Sequence, residues 1–212
     1  TILFFSILLS LFISSKSIGF VGNQKVETFY ESKIILRDIF QNNQYTFYCN
    51  CSYEHKKPIF KTCDYKPYKN FKRANRIEWE HIVPASRFGK KFETWKNGNL
   101  RCIENGKKFK GRKCASKINK KFRLVEADLY NLQPTIGEIN QQRQNFKMSI
   151  IPGEKRNFGK CDFEVQNKFV EPSPNIRGDI ARTYFYMADT YSNYIKLTKS
   201  ELSLFSKWNN VD

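Results

Sequence analysis

Histidine is almost missing from this chain: 212 residues hold two, His55 and His81. No His-Glu-x-x-His pair occurs, which excludes the zinc proteases built on that helix. No pair of Cys-x-x-Cys knuckles occurs either, and two histidines make a poor structural zinc site. Acids are scarce, with 20 Asp and Glu against 37 Lys and Arg. No apolar run reaches the ~20 residues that a membrane span needs. Repeats, low-complexity tracts and linkers rich in Pro, Gly or Ser are also missing, so residues 20–212 are expected to form one domain.

What is present points outward from the cell and toward polyanions. The formal net charge is +17, and such a surface attracts phosphate-rich partners. Residues 1–13 (TILFFSILLSLFI) carry no charge. They are too short to cross a bilayer and fit the apolar part of a secretory signal. Ser17, Ile18 and Gly19 offer small residues for cleavage, so residues 1–19 are expected to be removed. Six cysteines, Cys49, Cys51, Cys63, Cys102, Cys114 and Cys161, suit an oxidising compartment. Their pairing is open. The expected set is Cys51–Cys63 and Cys102–Cys114 as local bridges, with Cys49–Cys161 as a long-range tie.

Hydrophobic residues make up 40% of the chain, enough for a sizeable core. Apolar spacing predicts a helix over 24–41, carrying Val26, Phe29, Leu36 and Phe40 on one face. Tyr45 to Cys51 reads as an aromatic strand, 54–76 as a basic loop, and Ile77 to Val83 as a short strand ended by Pro84. Residues 90–121 are loop-rich, with turns at Asn97-Gly98 and Asn105-Gly106. A helix is expected over Phe122 to Leu132. Another is expected from Asp179 to Leu197, with Ile180, Tyr184, Met187, Tyr191 and Ile195 as its core stripe. The class is mixed α+β, helix-rich, in one domain.

The chemistry has few places to sit. His55 lies in Glu54-His55-Lys56-Lys57-Pro58, a solvated basic loop. His81 follows Ile77-Glu78-Trp79-Glu80 in an apolar, strand-like setting, with a carboxylate immediately before it. A second cluster, Glu126 to Pro134, holds Glu126, Asp128 and Asn131. Glu80 or Asp128 together with Asn131 would give hard oxygen ligands suited to Mg²⁺. From Asn105 to Arg123 there are nine basic residues and no acid, a run suited to gripping a phosphate backbone.

Three segments resemble the bacterial endonuclease I family. Asn75-Arg-Ile-Glu-Trp-Glu-His-Ile-Val-Pro-Ala85 with Phe88-Gly89 is similar to its first signature. Glu126-Ala-Asp-Leu-Tyr-Asn-Leu-Gln-Pro134, Gly137-Glu-Ile-Asn140 and Arg143-Gln-Asn-Phe146 are similar to its second. Arg177-Gly-Asp-Ile-Ala-Arg-Thr-Tyr184 with Tyr186-Met187 resembles its late helix. The resemblance implies a ββα-metal (His-Me finger) active site in a periplasmic or secreted, monomeric nuclease. It implies cleavage of DNA, and RNA as well, to 5′-phosphate ends with little sequence specificity, using Mg²⁺ or Mn²⁺. By motif position, His81 is the general base, Glu80 and Asn131 bind the metal, and Arg112 contacts the cleaved phosphate. The family's Gly-Gly-Arg-Lys-Asn-Cys is altered here, because Lys110 replaces the first Gly and the Asn is absent. Lys113 and Arg101 therefore stand as alternatives to Arg112. Glu80 and His81 are neighbours on a strand, where side chains alternate faces. Both can serve one phosphate only if the strand ends or opens there.

Overall fold

The computed structural model describes residues 21–153 and 155–210; the expected signal, residues 1–19, lies outside them. In chain order the elements are α1 (Phe29–Ile39), β1 (Tyr53–Glu54), β2 (Lys57–Pro58), α2 (Phe71–Ala74) and β3 (Ile77–His81). Next come α3 (Ala85–Gly89), α4 (Glu93–Lys96), β4 (Ile103–Glu104), β5 (Lys107–Lys108), α5 (Arg112–Ile118) and α6 (Lys120–Glu126). Then follow β6 (Leu132–Ile136), α7 (Gly137–Arg143), β7 (Lys147–Met148), β8 (Phe163–Gln166), β9 (Phe169–Pro172), α8 (Arg177–Thr190) and α9 (Lys199–Asn209). Helices dominate and strands are short, which makes the domain a mixed α+β fold.

The element that positions the site is the pair β3 and β6. They run antiparallel with Ile77 opposite Ile136 and His81 opposite Leu132. β6 passes straight into α7 through Gly137, whose N–H donates to Arg76 O at 2.9 Å. A Cβ at Gly137 would lie 2.6 Å from Arg73 O, so only glycine lets α7 begin this close to α2. The helix returns along β3 and carries Asn140 and Arg143 beside it.

Several expected elements change here. The first helix begins at Phe29 rather than at residue 24, because Thr28 and Glu31 form a capping box that sets its start. Tyr45 to Cys51 is not a strand: the chain turns there, and Tyr45 makes one isolated bridge to Ser52. Residues 54–76 are not all loop, since they contain a hairpin with His55 and Lys56 at its turn, both with positive φ. The helix expected over Phe122 to Leu132 stops at Glu126. Asp128 then caps a 3₁₀ turn over Leu129–Asn131 by accepting from Tyr130 N. Pro134, read as the residue after a helix, lies inside β6, where its carbonyl accepts from Phe47 N at 2.8 Å.

The core is aromatic and aliphatic. Phe88, Phe122, Phe163 and Phe205 are fully buried with Ile136, Ile139 and Ile180. Three disulfides tie it: Cys49–Cys161, Cys51–Cys63 and Cys102–Cys114. The first closes 112 residues of sequence and joins the two ends of the domain's middle. The late helix ends at Thr190, earlier than the expected Leu197, and α9 packs back on it. Phe205 stacks on Tyr184 with ring centroids 4.4 Å apart.

The docking of α9 has a charge at its root. Glu201 accepts from Arg87 Nη1 and Nη2, both at 2.6 Å, and from Thr198 N at 2.8 Å. Burial alone would raise its pKa, but these bonds outweigh burial and hold it below its ordinary 4.5. A carboxylate with a depressed folded pKa stabilises the fold above its unfolded pKa and loses that contribution as pH falls through the folded one. A Glu201→Gln protein is therefore expected to melt lower than the parent at neutral pH, with the gap closing below about pH 4.5. Thermal melts from neutral to acid pH read this. A gap that stayed constant into the acid range would remove Glu201 as a pH-linked anchor.

Candidate active site

β3 pairs with β6 in a sheet of two strands, so among the described residues the opposite edge of β3 carries no partner strand, only a bond from Ile77 N to Lys56 O at 2.8 Å. A cleft of about 680 Å³ lies on that side. Every residue from Arg76 to His81 lines it, as happens when a cleft follows a strand's edge rather than one of its faces. Glu78 and Glu80 face α7. Glu78 accepts from Asn140 Nδ2 at 3.0 Å, and Glu80 meets Arg143. Trp79 and His81 face α1, with ring centroids 5.6 Å from Phe40 and 4.8 Å from Phe29. Adjacent side chains thus leave opposite faces, and still border one space because the strand is open there and ends at His81.

The imidazole of His81 has a fixed orientation. Its Nε2 lies 2.8 Å from the carbonyl oxygen of Glu126. A carbonyl can only accept, so Nε2 carries the proton. Burial lowers the His81 pKa to about 3, the Arg112 charge adds to the effect, and the Glu126 bond opposes it. The ring is therefore neutral near pH 7, and its Nδ1 is left as the bare, accepting nitrogen.

Glu126 organises a second group as well. Its Oε1 accepts from Arg112 Nε at 2.5 Å, and its Oε2 from Ser116 Oγ at 2.9 Å. The Arg112 guanidinium sits over the Phe29 ring, 5.2 Å from the centroid, and lines the cleft. One buried acid therefore sets the tautomer of His81 through its backbone and the direction of Arg112 through its side chain. In the sequence Glu126 is one acid of the Glu126–Asp128–Asn131 cluster on an expected helix, with no role of its own. The two alternatives to Arg112 lie elsewhere: Lys113 pairs with Glu104 outside the cleft, and Arg101 does not line it.

Glu80 is buried and faces a fully buried arginine. Its Oε1 lies 3.0 Å from Arg143 Nε without the alignment of a hydrogen bond, so both atoms are left without one. Arg143 is otherwise well held, with Nη2 donating to Ile82 O at 2.6 Å and Nη1 to Gln144 O at 2.9 Å. Burial raises the Glu80 pKa to about 7, against the opposing charge of Arg143. The unbonded oxygen is buried against the Arg143 guanidinium, on a residue that lines the cleft.

Asn131 does not join this group. It is fully buried, and its amide closes two bonds on one backbone unit: Oδ1 accepts from Val83 N at 2.7 Å and Nδ2 donates to Val83 O at 3.0 Å. It fixes the chain after β3 and does not line the cleft. The amide at the cleft is Asn140, on α7. Because Glu78 can only accept, Asn140 must turn its Nδ2 toward it, which leaves Oδ1 as its free acceptor. Asp128 is likewise structural, since its Oδ2 accepts from Tyr186 and Tyr191 hydroxyls at 2.9 and 2.5 Å. His55 lines a neighbouring cavity and not the cleft, so the two histidines are not brought together as a catalytic pair.

The basic run from residue 105 to 123 is partly used inside the protein. Lys113 pairs with Glu104, and Lys120 and Arg123 pair with Glu27. Arg112 alone from that run reaches the cleft, joined there by Lys33, Arg73 and Arg76 from other segments.

A family model described as Endonuclease I matches residues 14–211. The chain is 40% identical to "Endonuclease-1" of Buchnera aphidicola subsp. Acyrthosiphon pisum, over 94% of this chain and 76% of that protein. It is 36% identical to an "Extracellular deoxyribonuclease" of Aeromonas hydrophila, over 86% of this chain and 76% of the relative. A "Periplasmic deoxyribonuclease" of the same species is 37% identical, over 87% and 75%. The class is thus that of the nucleases, here in a disulfide-tied α+β domain. Within it, the chain belongs to the endonuclease I family.

Proposed function

We propose that this chain is a secreted or periplasmic endonuclease that hydrolyses DNA, and RNA as well, with a divalent cation and little regard to sequence. The observation that carries the reading is the neutral His81, tied through Nε2 so that Nδ1 is left to accept, in a cleft that Glu80, Asn140 and Arg112 also line. The names of its relatives supply the substrate class and the compartment. Among the described residues no helix is long and apolar enough to cross a membrane.

The residues fit a magnesium-type ion and not a zinc cage. Among the described residues no three His, Cys, Asp or Glu side chains cluster as a metal site. One carboxylate and one amide, Glu80 and Asn140, suit a hard cation that keeps most of its waters and takes substrate phosphate. A bound Mg²⁺ or Mn²⁺ supplies positive charge to the phosphoryl and leaving oxygens. Within a ββα arrangement of β3, β6 and α7, the chain's own groups do the rest. His81 Nδ1 takes a proton from water as its oxygen bonds to phosphorus. The bond from phosphorus to the 3′ oxygen breaks, and that oxygen takes a proton from solvent, leaving 5′-phosphate and 3′-hydroxyl ends. Arg112 directs its guanidinium at the phosphate while Glu126 holds its Nε. Phosphate contacts carry no direct sequence information, hence the low specificity.

Nicking of supercoiled plasmid and degradation of RNA, each with Mg²⁺ and with EDTA, test the reading; activity undiminished by EDTA would overturn it. The ligand assignment has its own test. Asn140→Ala is expected to raise the Mg²⁺ concentration for half-maximal rate on the order of 10–100-fold, the scale seen when metal-site partners are removed. Asn131→Ala should instead lower the melting temperature, because it leaves the Val83 N–H and C=O unpaired. A reversal of the two effects would return Asn131 to the metal.

A further inference from the structure

A second cavity, of about 550 Å³, adjoins the cleft and shares Lys33, Ile77 and Trp79 with it. Its size falls within the ~300–1,000 Å³ range of small-molecule sites. Its walls come from α1, from the turn of the β1–β2 hairpin and from the α1-facing side of β3. No acidic side chain lines it. Lys33, Arg37, Lys56 and His55 supply positive or hydrogen-bonding groups, and the three Lys and Arg residues make no ion pair among the described residues. Tyr30, Tyr53, Phe40 and Trp79 supply aromatic surface. Tyr30 is 68% exposed, so its ring is open to a ligand.

We propose that this cavity is a subsite for an unpaired nucleotide of the substrate strand, its base against Trp79 and Tyr30 and its phosphate at Arg37 and Lys33. The inference rests on the nuclease reading and extends it. Trp79 and His81 share the α1 face of β3, so a strand whose scissile phosphate sits at His81 meets the cavity next. Rings interleaved with cations that make no ion pair, Lys33 lying over Tyr30 itself at 5.8 Å, suit single-stranded nucleic acid, because every base has a face to stack and every link a charge to neutralise. A base held in a stacked Watson–Crick pair cannot enter, so the subsite favours single-stranded, frayed or damaged substrate over intact duplex.

The test uses His81→Ala protein, with Mg²⁺ present, so that substrate is bound without being cut. Short oligothymidylate is expected to quench tryptophan fluorescence, and Trp79→Phe to remove that quench. Tyr30→Ala with Arg37→Ala is expected to weaken oligothymidylate binding about tenfold, in line with the loss of one base stack, and to weaken binding of a duplex of equal length far less. Absence of a Trp79-dependent quench, or an equal change for both substrates, would overturn the subsite. Plasmid cleavage by the unaltered protein reads the nuclease separately: an enzyme that cuts but shows no quench loses the subsite alone.

Discussion

His81→Ala protein should cleave plasmid DNA about 10²–10⁴-fold more slowly than its parent, the range that a positioned general base contributes. The size of the effect follows from the scarcity of substitutes. His55 opens into the neighbouring cavity, and the other imidazole-like options do not exist in a chain with two histidines. Glu80 borders the cleft but faces Arg143, which leaves it poorly placed to accept the water's proton. Loss of the ring also leaves the Glu126 carbonyl without its partner and opens space beside Phe29, so a fall in melting temperature accompanies the change. Binding separates the two consequences. Lys33, Arg73, Arg76 and Arg112 line the cleft, so affinity for DNA and its dependence on salt, which phosphate contacts set, are expected to persist when the rate is gone. A variant that cut at a rate near the parent's would remove His81 as the base and with it the proposed chemistry. Glu126→Gln offers a graded comparison, because it keeps the backbone carbonyl on Nε2 while releasing its side-chain hold on Arg112.

The parts of this site that could be read from sequence are those in which residue type and neighbours suffice. Glu80 and His81 stand together in a strand-like run, and Arg112 sits in a recognisable Gly-Arg-Lys-Cys. The choice between Asn131 and Asn140 could not be made that way. Both are amides in the same signature, and what separates them is the fold: Asn131, just before β6, turns its amide onto Val83, while α7 brings Asn140 to the cleft. The helix expected over Phe122 to Leu132 hid that strand. Val125, Leu129 and Leu132 do share a helical spacing, but their burial is equally served by a helix, a capped turn and a strand in succession. Asp128 was the available signal, since Asp favours caps over helix interiors. The same kind of signal, Thr198 with Glu201, marks the start of α9, a helix that apolar spacing did not reveal. Glu126 and Arg143 were illegible for another reason: charged residues are seldom buried, and only the packing around these two shows that they support His81, Arg112 and Glu80.

Arg143 carries the second large effect. It is 0% exposed and lies against a carboxylate that is itself buried. Removing one member of such a pair leaves an uncompensated charge in a low-dielectric setting, at a cost of about 3–5 kcal/mol. Arg143→Met, which keeps much of the volume, is therefore expected to lower stability by that amount, read from denaturant midpoints. The cause can be separated from lost packing by a double-mutant cycle. If charge dominates, Glu80→Gln in the Arg143→Met background restores much of the stability, because neither partner is then ionised. If the guanidinium matters chiefly through Ile82 O and Gln144 O, the second substitution restores nothing. Activity should follow a different course. The double variant regains its fold but not its rate, since the carboxylate offered to the cation is gone. Added Mg²⁺ should raise the melting temperature of the parent by mass action on the folded state and leave that of the double variant where it was. Equal stabilisation of both by Mg²⁺ would mean that the ion binds away from Glu80, and the pair with Arg143 would then be a structural feature of the core beside the cleft.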